Sequence, residues 1–316
     1  MKVFITQELP GNVEELLISK GFEVDVYRKN NIISKRELIK RAKDADGLIC
    51  LLTNTIDREV IDNLNKCKVI ANVAVGYNNI DVAYAKSKNI LVTNTPGILD
   101  DATADLTLAL ILACARRLRE GDEFVRKNKF KAWMPQLMLG IELAGKTVGI
   151  IGAGRIGFEV AKRLLPFKTK IIYYDRNRRE KFESATGAKK VSLNNLLKNS
   201  DIVSVHVPLN NDSFHILNRE NMKLLKLTSI LVNTSRGEVI EEKYLIEMLK
   251  KKKIFAAGLD VYEGEPKINP ELFKLDNAFL LPHIGSATIE TRSKMAKLAA
   301  KNVIAVLSNK KPISPV

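Results

Sequence analysis

Only three of the 316 residues are histidines, and their neighbours give them different prospects. His206 closes a strand-like run in Val205-His206-Val207-Pro208, and His215 follows a polar loop. His283 stands just past Leu280-Leu281-Pro282 and before Gly285-Ser286. Open α/β sheets bind ligands just beyond their strand ends, so His283 is the histidine best placed at a cleft. Arg236, in Asn233-Thr234-Ser235-Arg236-Gly237, also follows a strand-like run, and its planar fork suits bidentate recognition of a carboxylate. Glu265, in Glu263-Gly264-Glu265-Pro266, would orient His283 and stabilise its protonated form. A positioned acid beside a carboxylate-holding cation is what hydride transfer to a keto acid demands. The ordinary alternatives are a surface salt bridge for Arg236 and a solvated loop carboxylate for Glu265.

A hydride needs a carrier, and the chain offers a place for one. The strand-like Val148-Gly149-Ile150-Ile151 runs into Gly152-Ala153-Gly154-Arg155-Ile156-Gly157, and the helix-compatible Phe158 to Leu165 follows. In that context Gly152 permits the tight turn, Gly154 lets backbone approach a pyrophosphate, and Gly157 lets helix and strand pack closely. The next strand-like run, Ile171 to Tyr174, ends in Asp175, about 20 residues on, where an acid would bind the adenine ribose hydroxyls. The carboxylate favours NAD, because it would repel a 2′-phosphate. Arg176 and Arg178 beside it leave NADP open.

These residues require a parallel sheet to position them. The first hundred residues alternate short apolar runs (Val3 to Ile5, Val24 to Tyr27, Gly47 to Leu52, Val69 to Val75, Ile90 to Val92) with helical-period segments. Pro96-Gly97 breaks the chain, Asp100-Asp101 sit where an N-cap belongs, and a long apolar helix is expected through Leu118. From Thr147 a second series contributes six strands: Val148 to Ile151, Ile171 to Tyr174, Ile202 to Val207, Ile230 to Asn233, Phe255 to Leu259 and Phe279 to Leu281. A last helix, Thr288 to Leu307, would carry the chain back onto the first unit, making that domain discontinuous. The expected domains are 1–98 with 287–316, and 99–286.

Hydrophobic residues at 46% and charged residues at 28% describe a folded globular chain with two cores rather than a disordered one. The formal charge of +15 raises a nucleic-acid or membrane partner, but the cations are scattered along the chain. The tight run Lys250 to Lys253 ends an amphipathic segment beginning near Glu241, where cations suit a helix C-terminus. A solvated lysine-rich surface is the expectation, with neither of those partners. Cys50, Cys67 and Cys114 lie in apolar runs without metal-ligand spacing, which points to buried thiols in a reducing compartment, the cytoplasm, and to no metal. Met1 leads directly into strand-like Val3-Phe4-Ile5 and Leu106 to Ala115 is too short to span a bilayer, so neither secretion nor membrane insertion is expected.

The motifs VGYNNID (75–81), GKTVGIIGAGRIG (145–157), VHVPL (205–209), NTSRGEVI (233–240), GLDVYEGEP (258–266) and PHIGSAT (282–288) together resemble the D-isomer-specific 2-hydroxyacid dehydrogenases, almost end to end. The resemblance implies two doubly wound domains, a flavodoxin-like substrate domain and an NAD-binding domain. It implies that Arg236, Glu265 and His283 form the catalytic set and that the Val75 and Gly76 amides hold the substrate carboxylate. It further implies Arg155, Ile156, Asp175, Pro208, Thr234, Asp260 and Gly285 around the cofactor, and a homodimer built on the helix near residues 100–120; the split placement of the site residues along the chain leads us to expect domain closure during turnover. NVAVGYNNID and AWMPQLMLGIELAGKT are most similar to the glyoxylate and hydroxypyruvate reductases, in which a tryptophan at the position of Trp133 is expected to reach a neighbouring subunit's site. Leu51, Leu52 and Trp133 would then select the substrate. Phosphoglycerate dehydrogenases without a regulatory domain are the close rival. That branch often has arginine where this chain has Asn72. Asn78 stands where the family commonly has Asp. An NAD-sensing regulator without turnover is the reading from a different class.

Overall fold

The computed structural model describes residues 1–316, which divide into two compact units, Met1–Leu99 with Ser286–Val316, and Asp100–Gly285. The first unit holds a parallel sheet of β1 (Lys2–Ile5), β2 (Glu23–Val26), β3 (Gly47–Cys50), β4 (Val69–Asn72) and β5 (Leu91–Thr93), in the order β2-β1-β3-β4-β5. That is the flavodoxin-like order. Successive side chains of a strand point to opposite faces, so Phe4, Leu48, Cys50, Ile70 and Val92 fill one core while Val3, Ile5, Ile49, Val69 and Ala71 fill the other. Helix Ile289–Leu307, capped by the Thr288 hydroxyl, closes the second core with Ala296, Ala299, Ala300 and Val303. The strands stop earlier than their apolar runs: β3 ends at Cys50 and β4 at Asn72, which leaves Leu51, Leu52, Val75 and Gly76 in loops at the carboxyl edge.

The second unit holds β6 (Thr147–Ile151), β7 (Lys170–Tyr174), β8 (Lys189–Lys190), β9 (Ile202–Val205), β10 (Ile230–Asn233), β11 (Ala256–Leu259) and β12 (Ala278–Leu280), all parallel, in the order β12-β11-β10-β9-β6-β7-β8. Strand order reverses between β6 and β9, the switch point at which dinucleotides bind in such sheets. Of the seven strands, six match the sequence expectation. The seventh, β8, is two exposed lysines at the sheet edge, too short and too polar to carry a strand pattern. The expected helix through Leu118 is in fact two. Asp100–Ala115 ends where Arg117 adopts a left-handed φ of 53°, and Leu118–Arg126 follows with no buried residue. Asp100 and Asp101 lie in the first helical turn rather than capping it from outside. No helix is long and apolar enough to cross a membrane.

Candidate active site

The glycine turn after β6 is shaped by backbone contact. Gly152 has φ +94°, and a Cβ there would lie 2.7 Å from the His206 carbonyl oxygen; one at Gly157 would lie 2.2 Å from the Gly152 carbonyl oxygen. Gly154 is different, because a Cβ there would meet no protein atom within 4 Å. Gly154 caps helix Arg155–Leu164 without any side-chain bond, so the helix presents free N–H groups. This open, donor-rich cradle fits the pyrophosphate of a dinucleotide. Arg155 is exposed with its Nε 3.2 Å from Asp100, and Ile156 is half-buried.

Asp175, at the end of β7, accepts hydrogen bonds from Ala153 N (3.2 Å) and Asn177 N (3.1 Å) and pairs with Arg179 at 3.2 Å. The flanking arginines are committed elsewhere, Arg176 to Asp212 and Arg178 to Glu183, each at 2.8 Å. Pro208 O accepts from Ser213 Oγ at 2.5 Å, and the buried Thr234 hydroxyl lies 2.9 Å from that of Thr107. Thr103 Oγ1 donates to Gly285 O at 3.2 Å. Thr103 and Thr107 were not singled out by sequence reading; they face β10 and the His283 loop from a helix whose apolar composition hides them.

Three loops of this sheet edge bring Arg236, Glu265 and His283 into relation. Arg236 follows β10, and Asn233 Nδ2 donates to its carbonyl at 2.7 Å while the Arg236 guanidinium donates to Ser235 O at 2.7 Å. Burial pushes the guanidinium below its ordinary range, opposed by the nearby Glu265 and Glu238 carboxylates. Gly237 then packs directly on the next loop: a Cβ there would lie 1.9 Å from the Tyr262 carbonyl carbon, so the Arg236 and Glu265 loops touch backbone to backbone. Glu265 uses one oxygen to accept from Tyr262 N (2.8 Å) and the other to meet His283 Nδ1 (2.8 Å). His283 has a left-handed φ of 54°. Asp260 holds it there by accepting from Ile284 N and Gly285 N, both at 2.7 Å, and burial pushes that carboxyl above its usual range. The loop is locked further by the Tyr262 hydroxyl, which donates to Leu281 O at 2.7 Å.

The other histidines are spoken for. Burial pushes the His206 imidazole down to about 3, so it is neutral at neutral pH, with Nε2 2.8 Å from Ser204 Oγ. His215 meets Glu263 at 2.9 Å and stacks on Phe214. In the first unit, Leu52 is exposed at the end of β3, and Val75 and Gly76 are half-buried after β4. Trp133 is 80% exposed, in a segment with exposed Phe130, Met134 and Leu139. Asn72 is completely buried, a property that residue type at that position does not reveal.

A switch-point cradle with an acid-base pair at the same sheet edge defines a nicotinamide-dependent oxidoreductase of the two-domain α/β type. Residues 108–285 match the family model for the NAD-binding domain of D-isomer-specific 2-hydroxyacid dehydrogenases, over half of the chain, and the chain belongs to that family. It is 47% identical over 315 residues to a glyoxylate reductase of Thermococcus litoralis, covering 98% of this chain and 95% of that one. It is 48% identical to a glyoxylate reductase of Korarchaeum cryptofilum, with 96% and 92% covered. Among solved structures, a Thermus thermophilus protein superposes with a TM-score of 0.95 at 43% identity, all of both chains being covered. An NADPH-dependent glyoxylate/hydroxypyruvate reductase of Sinorhizobium meliloti superposes with a TM-score of 0.88 at 29% identity, covering 100% of this chain and 97% of that one.

Proposed function

We propose that this protein reduces a small 2-keto acid, glyoxylate or hydroxypyruvate, to the D-2-hydroxy acid, with NADH as reductant. The 2.8 Å contact between His283 Nδ1 and Glu265 carries the reading. With Nδ1–H given to the carboxylate, Nε2 is the ring atom left to hold a transferable proton. His283 protonates the carbonyl oxygen, Glu265 stabilises the imidazolium, and Arg236, desolvated by burial, binds the substrate carboxylate together with the Val75 and Gly76 amides. Residues 152–157 would hold the pyrophosphate of the dinucleotide, whose reduced nicotinamide would supply the hydride. In the reverse direction His283 takes the hydroxyl proton.

NADH is preferred to NADPH in this proposal because the Asp175 carboxylate stands where a 2′-phosphate would need a cation, and Arg176 and Arg178 already face Asp212 and Glu183. The exposed apolar side chains of Val125, Phe130, Trp133, Met134 and Leu139 support a homodimer, to be tested by light scattering of the wild type and of Trp133→Glu. The test of function is NADH and NADPH oxidation by the purified protein with glyoxylate, hydroxypyruvate, pyruvate and 3-phosphohydroxypyruvate. Rapid NADH loss with either of the first two is expected. Preference for the phosphorylated acid reassigns the substrate, and NADH binding without turnover on any of the four makes the protein a cofactor sensor.

A further inference from the structure

The turn after β4 is held in an asymmetric way. Its three consecutive carbonyls all have donors within the first unit: Ala74 O accepts from Thr95 N at 2.9 Å, Val75 O from Asn94 Nδ2 at 2.8 Å, and Gly76 O from Asn72 Nδ2 at 2.9 Å. The N–H groups of the same three peptide units, those of Val75, Gly76 and Tyr77, have no protein acceptor. In a planar trans peptide the N–H points opposite to the C=O, so whatever fixes the carbonyl also aims the amide. Each amide is therefore turned away from the donor that grips its partner oxygen. A layer serving only to satisfy backbone would have no reason to serve every acceptor and no donor.

The asparagines are themselves immobilised. Asn72 is buried, its Nδ2 also donates to Asn79 Oδ1 at 3.1 Å, and its Oδ1 accepts from Cys50 Sγ at 3.6 Å. Asn79 in turn donates to Leu51 O (3.1 Å) and Asn54 O (3.0 Å), and Asn54 Oδ1 accepts from Thr6 Oγ1 (2.7 Å) and Leu51 N (2.8 Å). Asn94 is fixed from both sides of its backbone, its N–H donating to Ser314 O at 3.2 Å and its carbonyl accepting from Ser314 Oγ at 2.7 Å. A carboxamide both donates and accepts, so Asn72 can grip the Gly76 carbonyl while its own oxygen is held by Cys50.

We propose that Asn94 and Asn72 are positioning residues for substrate: they orient the amides of Val75, Gly76 and Tyr77 as a preorganised receptor for the carboxylate of the 2-keto acid. This rests on the proposed function and extends it to groups that never touch the ligand. An anion meeting amides already aimed at it need not reorganise them, and that saving appears in substrate affinity rather than in the proton-transfer step.

The experiment compares the full-length wild type with Asn94→Ala and with Asn94→Leu, which keeps the volume and cannot donate, and with Leu38→Ala, a buried residue of the same unit whose loss costs stability only. Read are the KM for glyoxylate, the Ki for the unreactive analogue oxamate, the KM for NADH, kcat and Tm. Both Asn94 variants are expected to raise the glyoxylate KM and the oxamate Ki in parallel by roughly five- to tenfold, the worth of about one hydrogen bond, with kcat and the NADH KM within about twofold. Unchanged KM and Ki in the Asn94 variants overturn the proposal. So does a rise that Asn94→Leu restores, or one that Leu38→Ala reproduces at equal loss of Tm. A wild type that reduces none of the four acids fails at the first step, before any variant is made, and takes the parent reading down with this one.

Discussion

The two sheet edges that carry candidate chemistry are built on different principles. At the edge of the seven-stranded sheet the working groups are ionisable side chains, and the structure is spent on anchoring the loops that bear them: Gly237 against Tyr262, Asp260 on Ile284 N and Gly285 N, Tyr262 Oη on Leu281 O. At the edge of the five-stranded sheet, the turn after β4 offers backbone amides, aimed by two carboxamides and the Thr95 N–H. Moving a proton requires a titratable side chain, whereas holding an anion requires only oriented dipoles. Damage to the first edge should therefore appear in turnover and damage to the second in substrate affinity.

The largest effect expected is from His283→Ala, which should lower kcat by roughly 10²- to 10⁴-fold, the usual range for loss of a general acid, with NADH affinity by fluorescence titration nearly intact. Near-normal turnover would erase the distinction between the edges. Arg236→Ala comes next. Removing a desolvated cation from an anionic substrate should cost roughly 30- to 1000-fold in kcat/KM for glyoxylate, expressed mainly in KM. An unchanged KM would mean that carboxylate binding belongs to the amide edge alone. Asp175→Ser should raise the NADPH/NADH ratio of kcat/KM by about tenfold, because a 2′-phosphate no longer meets a carboxylate and Arg179 loses its partner. Steady-state kinetics with both cofactors decides it, and a constant ratio would remove Asp175 from cofactor choice.

The difference between the edges also governed what could be read from sequence. Glycines that make a tight turn, an acid after the next strand, and a histidine past a strand end carry their mechanism in residue type and spacing. The amide layer does not. Asn72, Asn79 and Asn94 act on main chain brought near them by tertiary folding, and Asn72 is distinctive in sequence only because another branch has arginine there. Elsewhere the misses were local. Nothing in Arg116-Arg117 announces a left-handed residue between two helices, and Lys189-Lys190 becomes a strand only because β7 offers an edge.

The smallest effect sets His206 beside His283, two histidines of one domain that the fold has treated differently. His206 is held near 3 by burial, against an ordinary 6.5. In the unfolded chain its ring takes up a proton as the pH falls through 6.5, while the folded protein refuses one until about 3. The folded-state pKa is depressed, so the stability this group contributes is complete above 6.5 and is lost progressively as the pH falls toward 3. His206→Gln replaces it with a side chain that does not titrate and can still meet Ser204 Oγ. The stability gap between wild type and variant, measured by urea unfolding, should narrow by about 2 kcal/mol between pH 7 and pH 5. A gap that stays constant over that range would mean that His206 takes up its proton in the folded protein over the same pH range as in the unfolded chain, and the contrast between a silent histidine and a working one would have to be drawn elsewhere.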